Sequence, residues 1–204
     1  RALQEKDLLS LEDDQAYLPS DFWELVRVCT EPQQVLSFTY ADCHDEQDLR
    51  FFYWGENVLV QDRVLAGDSR QLKRLDTALD AALELKAGLQ LTEQPRPSGT
   101  AQTVPSATLE AIQQAASQGK DAVLEKLRHA DVDADTAASL AEAYTAPIAN
   151  AVLTRVLPGE DGASTSLILI KSAEGLWQMH SLDGTEVHIA PVNAETAWHI
   201  IAGF

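Results

Sequence analysis

Five histidines, two cysteines and several runs of carboxylates are the side chains of this 204-residue sequence whose chemistry could reach beyond packing. His180 and His188 are spaced to face each other on neighbouring strands of a hairpin and would supply two ligands of a zinc site. Spacing places no third ligand beside them, so no metal is expected. Cys43 and His44 lie inside the acidic run 42–48, where Asp42, Asp45, Glu46 and Asp48 would surround a thiolate and oppose its use as a nucleophile. Asp131, Asp133, Asp135 and Glu142 fall at positions 1, 3, 5 and 12 of a calcium-binding loop. Position 6, where the sharp turn needs glycine, is Thr136, so the run is expected to cap a helix instead. No phosphate-binding glycine loop, nucleophile elbow or paired-histidine zinc motif occurs. No catalytic residue, metal or cofactor is therefore expected, and the sequence reads as that of a binding protein, not an enzyme.

Composition narrows the partners. Fifteen Lys plus Arg against 32 Asp plus Glu leave a net charge of −17, which excludes a nucleic-acid phosphate backbone and an anionic membrane surface as partners. The 45% hydrophobic content, with 10 Gly and 8 Pro, is that of a folded chain. No apolar run approaches membrane-spanning length, and no basic segment followed by an apolar stretch marks a secretory leader at the start. The chain begins at Arg1 rather than Met, so residues upstream of it are expected. Cys29 and Cys43 match neither a disulfide framework nor a zinc spacing, and are expected to be reduced thiols in a cytoplasmic protein.

The elements that must position these residues follow one plan twice. An apolar-periodic helix over 21–29 stops near Pro32, strands follow over 35–40, 49–54 and 57–62, with 63–65 able to extend a fourth, and 70–89 carries leucines at helical spacing as one long helix. In the second copy a helix over 136–144 stops before Pro147. Strands follow over 151–157, 166–171, 176–180 and 186–189, the last two joined by Asp183-Gly184, and a short helix closes the chain by Ile201. Between the copies, 92–104 reads as a polar linker and 106–135 as short helices broken at Gly119, with Leu109, Ile112, Val123, Leu124 and Leu127 facing inward. The fold class is α+β: an antiparallel sheet covered by helices, built from two pseudo-twofold related helix-strand-strand-strand-helix repeats, the first about 20–90 and the second about 136–204, in a single domain over 1–204. Trp23, Trp54, Trp177 and Trp198 are expected to pack in the core or between the copies.

Four stretches resemble the EspG family of chaperones associated with ESX, or type VII, secretion systems: RALQEKDLLSLEDDQAYL before the first repeat, FWELVRVCTEPQQVLSFTY at its entry, VPSATLEAIQQAASQGKDAVLEKLRHADVDADTAASLAEAY through the middle helices, and LWQMHSLDGTEVHIAPVNAETAWHII at the close. The first of these resembles a helix and turn. The resemblance covers nearly the whole chain and implies a cytosolic chaperone or adaptor that binds the helical tip of PPE proteins in PE/PPE pairs and keeps them soluble for export. It implies partner contacts from the loop Asp42, Cys43, His44, Asp45, Glu46, Gln47 and Asp48, and from the helices carrying Ile112, Gln113, Leu124 and Leu127. The acidity of that loop points to a basic client. Two other readings are an orphan interaction or immunity-type protein of the same fold, and a metal-dependent enzyme using Cys43, His44, His180 and His188.

Overall fold

The computed structural model describes residues 10–12, 15–17, 19–91, 95–159, 164–181 and 184–203. Two short strands, β1 (Ser10–Glu12) and β2 (Gln15–Tyr17), pair with each other, so the region expected as helix and turn is a strand pair where it is described; residues 1–9 lie outside the described set. Then come helix α1 (Ser20–Thr30), strands β3 (Gln34–Asp42), β4 (Gln47–Trp54), β5 (Leu59–Val64) and β6 (Arg70–Leu75), and helix α2 (Ala78–Gly88). Strand β7 (Gln102–Pro105) leads into helices α3 (Ser106–Ala116), α4 (Lys120–His129) and α5 (Ala134–Thr145). The chain ends with β8 (Ala149–Val156), β9 (Ser164–Ser172), β10 (Gly175–Ser181), β11 (Glu186–Val192) and helix α6 (Ala194–Gly203).

Nine strands form one antiparallel sheet in the order β6-β5-β4-β3-β8-β9-β10-β11-β7. The two halves meet in the middle, where β3 and β8 pair from Val35 opposite Val156 to Asp42 opposite Ala149. Reading outward from that pair, each half runs through three hairpin-connected neighbours, and each is flanked by a helix before its first strand and another after its last. Each half therefore carries four strands: the second half has the four read from the sequence, and in the first half the fourth is Arg70–Leu75, beyond residues 63–65 where a fourth was expected.

Period-two alternation assigns the faces. Leu36, Phe38 and Tyr40 of β3, Phe52 of β4, and Ala149, Ala151 and Leu153 of β8 point to one side. There they are buried with Ala81 and Leu85 of α2 and Ala197 and Ile201 of α6. The opposite face is covered at its two flanks only. Leu25, Val28 and Cys29 of α1 sit on Val60 and Tyr53, while α3, α4 and α5 pack on Ile170, Trp177, Met179, Val187 and Ile189.

Two segments differ from their sequence reading. Residues 70–89 are not one helix: Arg70–Leu75 pairs with β5 as the edge strand, and Leu72 and Leu75 go to opposite faces, whereas a helix would bring them together. Helix α2 starts after Thr77, whose hydroxyl accepts from the Asp80 N–H at 3.2 Å while the Asp80 carboxylate accepts from the Thr77 N–H at 2.8 Å, a reciprocal capping box. The expected linker 92–104 is also structured where described. Pro97 is buried, Gly99 approaches Trp177, and Gln102–Pro105 joins the sheet as its other edge against β11. Residues 92–94 of that linker and Asp183 of the expected hairpin turn lie outside the described residues; Gly184 of that turn has φ 86°.

Trp177 is fully buried, whereas Trp23 on α1 is 55% exposed, contrary to the packing role expected of it. No helix among the described residues is long and apolar enough to cross a membrane.

Candidate partner-binding site

The β3–β4 hairpin is closed by its own first carboxylate. Asp42 Oδ1 accepts the N–H of His44 at 2.8 Å and of Glu46 at 2.9 Å, and Asp45 takes a left-handed conformation with φ 64°. That turn leaves Cys43, His44, Asp45, Glu46 and Gln47 exposed at the tip while using Asp42 as a brace. The tip is fixed to its neighbour by the Cys43 N–H, which donates to the Ile148 carbonyl at 2.9 Å where α5 runs into β8.

Asp48, expected on the loop, does not lie there. It sits opposite Tyr40 on the α2 side of the sheet, where its carboxylate pairs with Arg50 and, at 3.0 Å, with Arg63. Arg50 is only 5% exposed and also reaches the Glu84 carboxylate at 3.1 Å, while Lys73 holds the other Glu84 oxygen at 2.6 Å. Burial pushes the Asp48 pKa up, but hydrogen bonds and charge from Arg50 and Arg63 outweigh it and hold the carboxyl below the usual range. For Glu84 the Lys73 hydrogen bond leads in the same direction against partial burial. Asp48 is thus a charge that ties β4 to β5 through Arg63 and holds Arg50, whose guanidinium in turn reaches Glu84 on α2.

The helical residues divide in the same way. Ile112 and Leu127 have no exposed surface and hold α3 and α4 against α5 and the sheet, so neither is available to a partner in this arrangement. Gln113 is exposed and Leu124 half-buried. Lys120, opening α4, pairs with Glu142 near the end of α5 at 2.7 Å, which brings the α3–α4 junction to the same end of the molecule as the hairpin tip. Asp133 caps α5 by accepting the Thr136 N–H at 3.0 Å, and its other oxygen takes the Thr100 hydroxyl at 3.0 Å. With Glu142 engaged by Lys120, the acidic run forms a helix cap and an ion pair, not a calcium loop.

Between the two flanks lies a strip of the central strands that the sequence reading did not single out. On β3 and β8 the residues facing away from α2 and α6 include Thr39, Asn150 and Val152, all exposed, with Thr39 directly opposite Val152. Val152 and Ile148 are each 37% exposed. The signal was present in the alternation of Thr39 and Asn150 with buried neighbours, but Val152 itself reads as an ordinary strand residue. The strip is mixed apolar and hydrogen-bonding surface, bordered by helices and ending at an acidic tip. Surface of this mixed character is what protein–protein contacts bury, and its described residues bring no acid, base and nucleophile within reach of one another. The proposed enzyme constellation also comes apart. Cys43 and His44 stand at the end of the sheet where β8 begins, and His180 and His188 at its other end and three to four strands across, roughly 20 Å away on strand spacing and rise. Among the described residues no three His, Cys, Asp or Glu side chains are grouped to hold a metal.

No family model matches the chain, and no curated protein matches its sequence. Its structure, however, is similar to that of the Mycobacterium tuberculosis type VII secretion system chaperone EspG5, solved in complex with the PE25-PPE41 dimer. The TM-score is 0.76 over 98% of this chain and 81% of that one, at 15% sequence identity. The chain has the EspG fold. At that identity the likeness is one of architecture, and it spans both halves of the sheet and the inserted helices of this EspG-like chain.

Proposed function

We propose that this protein is a cytosolic chaperone or adaptor of a type VII secretion system, one domain over residues 1–204 made of two repeats, that binds a helical PE/PPE-type pair and keeps it soluble for export. The observation that carries the reading is the match of 98% of the chain to a chaperone seen with such a pair. The client's helical tip lies on the exposed strip around Val152, Thr39 and Asn150, with the tip residues Cys43, His44, Asp45, Glu46 and Gln47 at one end and Gln113 and Leu124 on the helical flank. Asp42 and Asp48 act behind the contact, one closing the turn and the other anchoring its strand. A net charge of −17 keeps such a surface soluble between clients and steers a basic client toward the tip.

Co-expression with a PE/PPE pair followed by affinity capture tests this. The pair is expected to co-purify with the wild type and to be retained less, and more salt-sensitively, by the double variant Asp45→Lys, Glu46→Lys. No retention by the wild type would end the proposal, and equal retention by both would remove the acidic tip from it.

A further inference from the structure

At the far end of the sheet from the hairpin tip, β10 and β11 carry a pair of imidazoles that the proposed function does not use. His180 and His188 are in-register cross-strand partners, their ring centroids lie 5.2 Å apart and their planes meet at 54°. Both side chains are half-buried, and among the described residues neither ring makes a hydrogen bond. Their flanking register partners, Leu167 on β9 and Thr103 on β7, bring no charge to the pair.

Tilted imidazoles at this separation, fixed by the hydrogen-bond ladder of two strands, can turn one nitrogen lone pair each toward a common point. Imidazole selects zinc, copper and nickel among biological cations, while magnesium and calcium prefer oxygen.

We propose that His180 and His188 form a two-imidazole chelate for a divalent d-block cation, with water completing the coordination. The cation bridges β10 and β11 and exchanges readily, because two protein ligands fall short of the closed set of a structural zinc site. Since the second imidazole binds intramolecularly, it raises affinity about 100-fold or more over one alone. The site stands apart from the client surface, so its occupancy does not alter partner capture.

Titration calorimetry of the full chain with zinc chloride and copper chloride, in a non-chelating buffer near neutral pH, tests the proposal. The expected result is one site per chain, copper tighter than zinc, no response to magnesium, and a loss of about 100-fold in affinity in both His180→Gln and His188→Gln, with His44→Gln unchanged. Should either variant fail to fold, NMR of the wild type decides: copper must broaden the His180 and His188 ring signals before those of His44, His129 and His199. Absence of binding, binding unchanged in a folded His188→Gln, or first broadening at another histidine overturns it.

Discussion

Arg50 shows how a single charge organises its surroundings. Buried beside the Phe38 ring, with its guanidinium carbon 5.9 Å from the ring centroid, it is held by Asp48 on its own strand and by Glu84 on α2. Asp48→Ala leaves that guanidinium short of one partner in a place water hardly reaches, and is expected to cost about 3 kcal/mol in urea denaturation. Glu46→Ala at the exposed tip should stay within about 0.5 kcal/mol, although the two residues are neighbours in sequence. Because the folded pKa values of Asp48 and Glu84 lie below their ordinary values, their contribution is complete above about pH 5. It is lost as the pH falls through the folded values, so the midpoint of wild type should fall more steeply than that of Asp48→Asn below about pH 4. In the sequence, Asp48 looked like the last residue of an acidic loop. What separates it from Gln47 is the face of the strand it lands on, and that depends on the register of β4 against β3, which composition does not show.

At the scale of elements, hydrophobic spacing located most helices and strands, and failed where tertiary pairing overrode it. Leu72, Leu75, Leu79 and Leu83 fit a helical stripe, yet Leu72 and Leu75 belong to an edge strand and Leu79 and Leu83 to the exposed side of α2. Strand β5 would otherwise present an unpaired edge, and the capping box at Thr77 sets the point at which the chain changes state. The proline-rich stretch misled through its polarity. It passes the β9–β10 turn so closely that a methyl group on Gly175 would run into the Pro95 carbonyl and come within 2.8 Å of Pro97 Cδ, at a φ of 138°. Gly175→Ala is expected to cost about 3 kcal/mol from strain and displacement together, measured as a shift in denaturation midpoint. Gly67, also at positive φ but with nothing within 4 Å, is the comparison, and Gly67→Ala should cost about 1 kcal/mol.

For the molecule as a whole, joining two similar halves edge to edge through β3 and β8 produces a nine-stranded sheet whose faces are unequal. One is sealed by α2 and α6, and the other is roofed only at its flanks. The order of elements that implies this arrangement was legible in the chain, because Pro32 and Pro147 each end a helix before a first strand. The bare central strip was not, since exposure of Val152 depends on where α1 and α5 come to rest. Exposed leucines also occur on the sealed side, with Leu79 60% exposed on α2, so the two sides can be set against each other in one experiment. Titration calorimetry with a soluble PE/PPE pair, applied to wild type, Val152→Glu and Leu79→Glu, tests the proposed client-binding face most directly. The account predicts that wild type and Leu79→Glu bind alike while Val152→Glu binds at least about tenfold more weakly. Binding that survives in Val152→Glu and is lost in Leu79→Glu, or no binding by the wild type, would contradict it.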